Sequence, residues 1–215
     1  MKARTQQLTT EFFSLHPDLS YLEENLSCAL GLLLDAFRAG GKLLICGNGG
    51  SSADSGHIVG ELMKGFLLRR PLSAAEKALF ADAYGEEGTQ MAAALQGALP
   101  ALSLSAHAAL ATAFGNDVAP ELVFAQQAWG YARPGDILLG ISTSGNSKNV
   151  CAAAMAARVR GARVLALTGQ GGGKLAALAD CTLPAPETRT FRIQEYHLAM
   201  YHYLCAAVES ELFEA

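Results

Sequence analysis

Short apolar runs alternate along this chain with longer segments in which apolar residues recur every three or four positions. The runs are apolar throughout rather than at every second residue, which is typical of strands buried on both faces. They lie at residues 42–46, 100–104, 136–141, 162–167 and 181–183. Because helical segments separate these strands, the pattern predicts an α/β fold with a parallel sheet covered on both sides.

The predicted helices begin with residues 2–39, which we expect to be broken or bent at Pro17. From Leu19 to Phe37, leucine, alanine and phenylalanine recur at three- and four-residue spacing and form one apolar stripe. Further helices are predicted at 53–64, 74–84, 87–96, 116–127, 146–160, 174–179 and 191–213. Since residues 65–98 contain two of these helices and no predicted strand, we expect a helical insertion in a single domain spanning residues 1–215.

Composition and charge exclude several classes of protein. The 215 residues are 51% hydrophobic and 17% charged, which favours a buried core over disorder. The net charge is −4 and the longest basic cluster is Arg69–Arg70, so we expect no nucleic-acid partner. No apolar stretch approaches the ~18 residues of a membrane span, so we expect no membrane partner. Five scattered cysteines and a polar N-terminus favour reduced thiols in the cytoplasm.

Two predicted strands end in loops rich in glycine and serine, CGNGGSS at 46–52 and ISTSGNS at 141–147. Each loop precedes a predicted helix, whose free N–H groups together with the hydroxyls could hold a phosphate. The alternative is an ordinary turn with a serine helix cap. Nucleotide motifs fail, because Leu175 follows Gly173–Lys174 and Ser52 stands where a dinucleotide loop needs glycine.

These loops belong to a series of motifs that resembles a known family. CGNGGS at 46–51 is followed by His57 and Glu61, by Gly115–Asn116–Asp117, by GISTSGNS at 140–147, by LTG at 167–169 and by RIQE at 192–195. In these motifs the chain resembles sugar isomerase (SIS) domains of the phosphoheptose isomerase type, over residues 20–213 apart from 65–98. The resemblance implies a three-layer, flavodoxin-like sheet of five parallel strands and a homotetramer whose subunits share active sites.

The resemblance also implies an activity and a set of site residues. The activity is interconversion of sedoheptulose 7-phosphate and D-glycero-D-manno-heptose 7-phosphate through an enediol, with Glu61 and His202 as the catalytic residues. One zinc ion per subunit would be held by His57, Glu61, Gln194 and His202. The sugar phosphate would be bound by Asn48, Gly49, Gly50, Ser51, Asn116, Asp117, Ser142, Thr143, Ser144, Ser147 and Gln194.

Other features of the sequence leave alternatives open. Phe191 stands where the isomerases often have an aspartate, and residues 65–98 could cover the cleft, contact another subunit or only decorate the domain. His197 and His107 lie outside the matching motifs and are expected to be structural. The alternative to an enzyme is a phosphosugar sensor, or a tetrameric adaptor that binds a replication initiator. The apolar stripe at 19–39 and the alanine-rich last helix suggest burial between subunits.

Overall fold

The computed structural model describes residues 1–213, so the last two residues of the predicted domain lie outside it. Five strands make up the sheet: β1 Leu43–Gly47, β2 Ala101–Ser103, β3 Ile137–Ser142, β4 Arg163–Thr168 and β5 Cys181–Pro184. The helices before β2 are α1 Ala3–Leu15, α2 Glu23–Arg38, α3 Gly50–Met63 and α4 Ala74–Ala94. Those after it are α5 Ala108–Asp117, α6 Val123–Tyr131, α7 Lys148–Val159, α8 Gly173–Leu178 and α9 Thr190–Leu212. Short 3₁₀ helices span Pro17–Leu22 and Pro120–Leu122.

The sheet is parallel throughout and has the strand order β2-β1-β3-β4-β5, which is the predicted flavodoxin-like topology. Successive side chains of β1 enter two separate cores: Leu43 and Ile45 pack on the face covered by α1, α2, α3 and α9, and Leu44 and Cys46 on the face of α6 and α7. Both faces are therefore buried, which confirms the interpretation of the uniformly apolar strands.

The N-terminal helices behave as predicted, but they do not support the reason given for an oligomer. α1 ends at Leu15 and the 3₁₀ helix starts at Pro17, whose ring cannot continue a hydrogen-bonded helix. The stripe on α2 is buried inside the subunit, with Leu26 and Leu30 in the core. Most of the second half of α9 is buried in the same way. These faces need no partner, so the argument from them was wrong, and the tetramer stays a prediction.

The helix predicted at 116–127 is also wrong. Asn116 and Asp117 end α5 instead of beginning a helix, because alanine-rich residues just before them favour the helical conformation. Pro120 cannot extend α5 and instead opens the 3₁₀ helix that leads into α6. Asp117 therefore lies at the C-terminal end of α5 and not near the start of a helix.

Residues 65–98 carry the two predicted helices, joined end to end within α4. Ser73 begins the helix with a capping box to Glu76, and Gly85 breaks it with φ 61° and ψ −132°. Gly88 and Ala92 are the buried residues of α4, Phe80 and Ala81 are half-buried, and the rest of the helix is exposed. In the part of the chain that the structure describes, neither α4 nor any other helix is both long enough and apolar enough to cross a bilayer.

Candidate active site

The two glycine- and serine-rich loops lie side by side at the carboxyl edge of the sheet. They follow β1 and β3, which are neighbours with Gly47 in register with Ile141. The side-chain amides of Asn48 and Asn149 hydrogen-bond to each other in both directions, at 2.9 and 2.8 Å. The first loop is thus tied to the start of α7, directly after the second loop, at the edge where ligands of open α/β sheets bind.

The hydroxyl groups predicted to bind phosphate are all in these loops. Ser142 is buried, and its Oγ lies 2.9 Å from Oγ of Ser147, so the two hydroxyls hold each other. Ser144 is exposed, and its Oγ accepts a hydrogen bond from the Asn146 N–H at 3.1 Å. The predicted group consists of Ser51, Ser142, Thr143, Ser144 and Ser147. In this arrangement Ser144 is the hydroxyl most open to a ligand.

Glycine is required at two points of the loops for different reasons. Gly145 has φ 64°, and a Cβ there would overlap the Gly172 carbonyl. A Cβ at Gly50, the first residue of α3, would overlap the side-chain amide of Gln194. Gly49 precedes it with φ 55° and is exposed. The N-terminus of α3 is therefore bare backbone that faces Gln194 on α9.

Three of the predicted catalytic and metal-binding side chains meet between α3 and α9. His57 Nε2 lies 3.2 Å from Glu61 Oε1 and 3.5 Å from His202 Nε2. The i, i+4 spacing on α3 brings His57 and Glu61 onto one face. Lys64 Nζ lies 3.5 Å from the other Glu61 oxygen, Oε2, a contact that the sequence analysis did not identify. Lys64, Glu61, His57 and His202 are therefore linked in one row of pairwise contacts.

The protonation of His202 suits a proton acceptor. Burial lowers its pKa, and the nearby His57 lowers it further, whereas the Glu61 carboxylate acts in the opposite direction. His202 is therefore biased toward the neutral imidazole, which has a free lone pair at neutral pH.

Two residues beside this cluster were missed by the sequence analysis. Tyr201 Oη lies 2.9 Å from His57 Nδ1 and donates to Asp54 Oδ1 at 3.3 Å. Burial, followed by the charge of Asp54, raises the pKa of Tyr201, so its hydroxyl stays protonated. The only sequence signal was that Asp54 lies three residues before His57 on the predicted helix.

A buried ion pair holds the segment that follows α3 against the same site. Glu209, on α9, accepts hydrogen bonds from the N–H groups of Phe66, Leu67 and Leu68 at 2.7–2.9 Å. It also accepts one from Arg70 Nε at 2.8 Å, and both charged side chains are almost fully buried. The Phe66 ring lies 5.6 Å from that of His202, so this ion pair fixes one wall of the site.

Some of the predicted site residues lie away from the cluster of His57, Glu61 and His202. Gln194 is eight residues before His202, about 12 Å along α9 at 1.5 Å per residue, and it lies beside the phosphate loops instead. Asn116 and Asp117 are exposed at the end of α5, where Asn116 Nδ2 donates to Asp117 Oδ1 at 2.8 Å.

The predicted zinc ligands have donor atoms that suit zinc, but they do not form a metal centre in this structure. Among residues 1–213, no group of three or more His, Cys, Asp and Glu side chains is arranged to hold a metal ion. Tetrahedral zinc sites with bonds of about 2.0–2.1 Å separate neighbouring ligand atoms by about 3.3–3.4 Å. His57 Nε2 lies at about this distance from Glu61 Oε1, 3.2 Å, and from His202 Nε2, 3.5 Å. Imidazole and carboxylate are ordinary zinc ligands, so these three residues fit the ion chemically.

His197 and His107, which were expected to be structural, lie outside the group formed by His57, Glu61 and His202. His197 is completely buried, and its Nε2 lies 3.0 Å from the Thr168 carbonyl. Burial lowers its pKa to about 4. His107 lies at the N-terminal end of α5 and stacks near Tyr131. Phe191 is exposed at the start of α9.

Known proteins with similar sequences and structures agree with this arrangement. The SIS domain family matches residues 19–98 and 91–169, a match that extends through the proposed insertion. A phosphoheptose isomerase of Akkermansia muciniphila is 40% identical over 179 residues, which is 83% of this chain and 81% of that protein. One from Rhodospirillum rubrum is 39% identical over 184 residues, covering 86% of this chain and 84% of the relative.

A solved structure shares nearly the whole fold. The phosphoheptose isomerase of Neisseria gonorrhoeae superposes with a TM-score of 0.71 at 35% identity, covering 97% of this chain and 94% of that one. The sheet order, the paired loops and this similarity point to the same conclusion. The chain belongs to the phosphoheptose isomerase family of SIS-domain proteins.

Proposed function

We propose that the chain is a ketol-isomerase that interconverts sedoheptulose 7-phosphate and D-glycero-D-manno-heptose 7-phosphate. The observation that carries this proposal is the meeting of Glu61 and His202 at His57, in a chain about 40% identical to phosphoheptose isomerases. A sensor or adaptor has no need of a carboxylate and a neutral imidazole at this point, so the enzyme is favoured over both alternatives.

The reaction needs one group that removes a proton and one that returns it. Removing a proton from C1 of the ketose while the C2 carbonyl oxygen gains one gives an enediol. Adding a proton at C2 while the C1 hydroxyl loses its proton and C1 becomes the carbonyl gives the aldose. Glu61 and His202 are the proposed pair for these transfers, with the lowered pKa of His202 keeping it ready to accept a proton. Lys64, 3.5 Å from Glu61, adds positive charge where the enediol oxygens become negative.

The phosphate is proposed to bind at the paired loops, which explains how the substrate is held. His57 is six residues after Ser51, so the two are about 9 Å apart along α3. An extended seven-carbon sugar with a terminal phosphate can bridge such a distance. The proposed phosphate contacts are the backbone at Asn48, Gly49 and Gly50, the hydroxyls of Ser51, Ser142, Thr143, Ser144 and Ser147, and the Gln194 amide. Asn116 and Asp117 are proposed to contact another part of the substrate.

One zinc ion per subunit is part of this proposal. Its ligands would be His57, Glu61 and His202, with Gln194 as the fourth. Because a lone pair bound to zinc cannot accept a proton, Glu61 would transfer protons through its second oxygen, and His202 only while its nitrogen is released from the ion. Because Gln194 lies against Gly50 in this structure, its side chain would have to turn toward the site. A bound zinc ion would supply a Lewis acid for the substrate carbonyl.

A homotetramer is proposed on different grounds from those of the sequence. α4 presents large apolar side chains outward, with Leu79, Tyr84 and Met91 each more than half exposed. Such residues on one long, poorly buried helix favour contact with another subunit.

The test is a turnover assay on the purified chain with parallel metal analysis. We expect the aldose 7-phosphate to form from sedoheptulose 7-phosphate, and zinc to accompany the active protein. Removing zinc with a chelator should lower turnover, and adding it back should restore turnover. Tight binding of the sugar phosphate without turnover, with or without zinc, would reject the isomerase and favour the sensor.

A further inference from the structure

A chain of hydrogen bonds runs from Asp54 through Tyr201 to His57, behind the proposed catalytic cluster. The Tyr201 hydroxyl lies 3.3 Å from Asp54 Oδ1 and 2.9 Å from His57 Nδ1. Tyr201 is 2% exposed, so water does not compete freely for its hydroxyl. His57 is exposed to the cleft through its other edge, where Nε2 faces Glu61 and His202.

The number of available protons decides the direction of these bonds. An ionised carboxylate only accepts hydrogen bonds, and a phenol has one proton to give. Asp54 Oδ2 is buried without a hydrogen-bond partner among the described residues, so the Tyr201 proton is the one donor available to this carboxylate. If that proton went to His57 instead, neither Asp54 oxygen would receive a hydrogen bond from the described residues, although Oδ2 is buried, and such an unpaired buried acceptor is costly.

With the Tyr201 proton directed at Asp54, the phenol oxygen can only accept at its other contact. His57 Nδ1 must then carry a hydrogen, and in the neutral ring its Nε2 carries the lone pair. That lone pair faces Glu61 Oε1 at 3.2 Å and His202 Nε2 at 3.5 Å. When Glu61 is ionised and the His57 and His202 rings both present lone pairs at Nε2, the three atoms are all electron-pair donors. A cation between them would be bound by all three.

We propose that Tyr201 and Asp54 are positioning residues that fix the Nδ1-protonated tautomer of His57 and direct its Nε2 lone pair into the catalytic cluster. The proposal deepens the proposed function, since it explains how His57 is prepared as a metal ligand. Partners of this kind on the second nitrogen of a ligating histidine set its tautomer and ring orientation.

The test reads the tautomer directly, so it does not depend on activity. Two-bond ¹H–¹⁵N correlation spectra of the chelator-treated protein, at about pH 8, separate the tautomers of its five histidines. His57 is assigned by the loss of its signals in His57→Gln. We expect Nδ1–H at His57 in the unmodified chain, and a shift toward Nε2–H in Tyr201→Phe. The matched control is Tyr203→Phe, which removes a hydroxyl from the same helix that bonds Thr9 instead.

Zinc affinity gives a second readout. In a competition titration, we expect Tyr201→Phe to weaken zinc binding about 10–100-fold and Tyr203→Phe to leave it unchanged. Should Tyr201→Phe fail to fold, Asp54→Asn tests the same bond and is expected to move the tautomer in the same direction. An Nε2–H tautomer of His57 in the unmodified chain would overturn the proposal. It would also be overturned if the His57 spectrum were unchanged in Tyr201→Phe or, should that variant not fold, in Asp54→Asn. Absence of isomerase turnover with the expected tautomers would reject the proposed function alone.

Discussion

Lowering the pH from 7 to 5 should destabilise this protein through His197, a buried histidine that is not among the proposed catalytic residues. His197 is completely buried on α9, and burial lowers its pKa to about 4, whereas an unfolded histidine has a pKa near ~6.5. Between these two values the unfolded chain binds a proton that the folded chain does not. The stabilising effect is therefore complete above about pH 6.5, and it is lost progressively as the pH falls toward about 4.

The size of the effect follows from the same two values. A difference of about 2.5 pKa units corresponds to roughly 3 kcal/mol in full, of which roughly 2 kcal/mol is lost between pH 7 and pH 5. The His197→Gln variant should lack this contribution, because glutamine does not titrate and can still donate to the Thr168 carbonyl.

Urea unfolding at pH 7 and pH 5 measures the effect in both proteins. The comparison uses the change in unfolding free energy with pH and not its absolute value, so the packing cost of the substitution cancels. We expect the parent chain to lose about 2 kcal/mol more than His197→Gln over this interval. Equal losses in the two proteins would refute the argument, and so would a parent chain that is more stable at pH 5.

Three further predictions concern the loops, the buried ion pair and the assembly. The Ser142→Ala/Ser144→Ala double variant should bind the sugar phosphate more weakly, by about 1.5–3 kcal/mol for each lost hydroxyl bond, in a calorimetric titration; unchanged affinity would reject the phosphate site. Glu209→Gln should lower the free energy of unfolding by about 3–5 kcal/mol, because it leaves Arg70 buried without its counter-ion; a loss near zero in urea would contradict this. Light scattering should give about four times the 22.5 kDa of one chain, and a stable monomer would exclude a shared site.

The sheet could be predicted from the sequence because each strand is a short apolar run bounded by turn residues. A strand buried on both faces is apolar at every position, whereas a half-exposed strand alternates apolar and polar residues. In β1, the neighbouring residues Leu43 and Leu44 lie in opposite cores. The helix predicted at 116–127 was wrong because the prediction gave too little weight to Pro120, which cannot continue a helix and instead opens the 3₁₀ helix after α5.

The cluster of His57, Glu61 and His202 was predictable only in part. Spacing on α3 pairs the first two, but no local pattern brings α9 across them, and the assignment of His202 came from family resemblance. Tyr201 and Asp54 were not found because a single hydrogen bond connects them, and it joins two helices that are far apart in the sequence. Glu209 was missed because a charge near the end of a chain is usually solvated, whereas here it binds three backbone N–H groups.

The central claim is that Glu61, together with His202, transfers the proton in a bound heptose phosphate. Steady-state turnover of Glu61→Gln tests this most directly, alongside calorimetric binding of the sugar phosphate and the control Glu24→Gln, an exposed residue at the start of α2. We predict that Glu61→Gln keeps the fold and the phosphate affinity while its turnover falls by about 10²–10⁴-fold, and that Glu24→Gln turns over normally. Full turnover in Glu61→Gln would contradict the account.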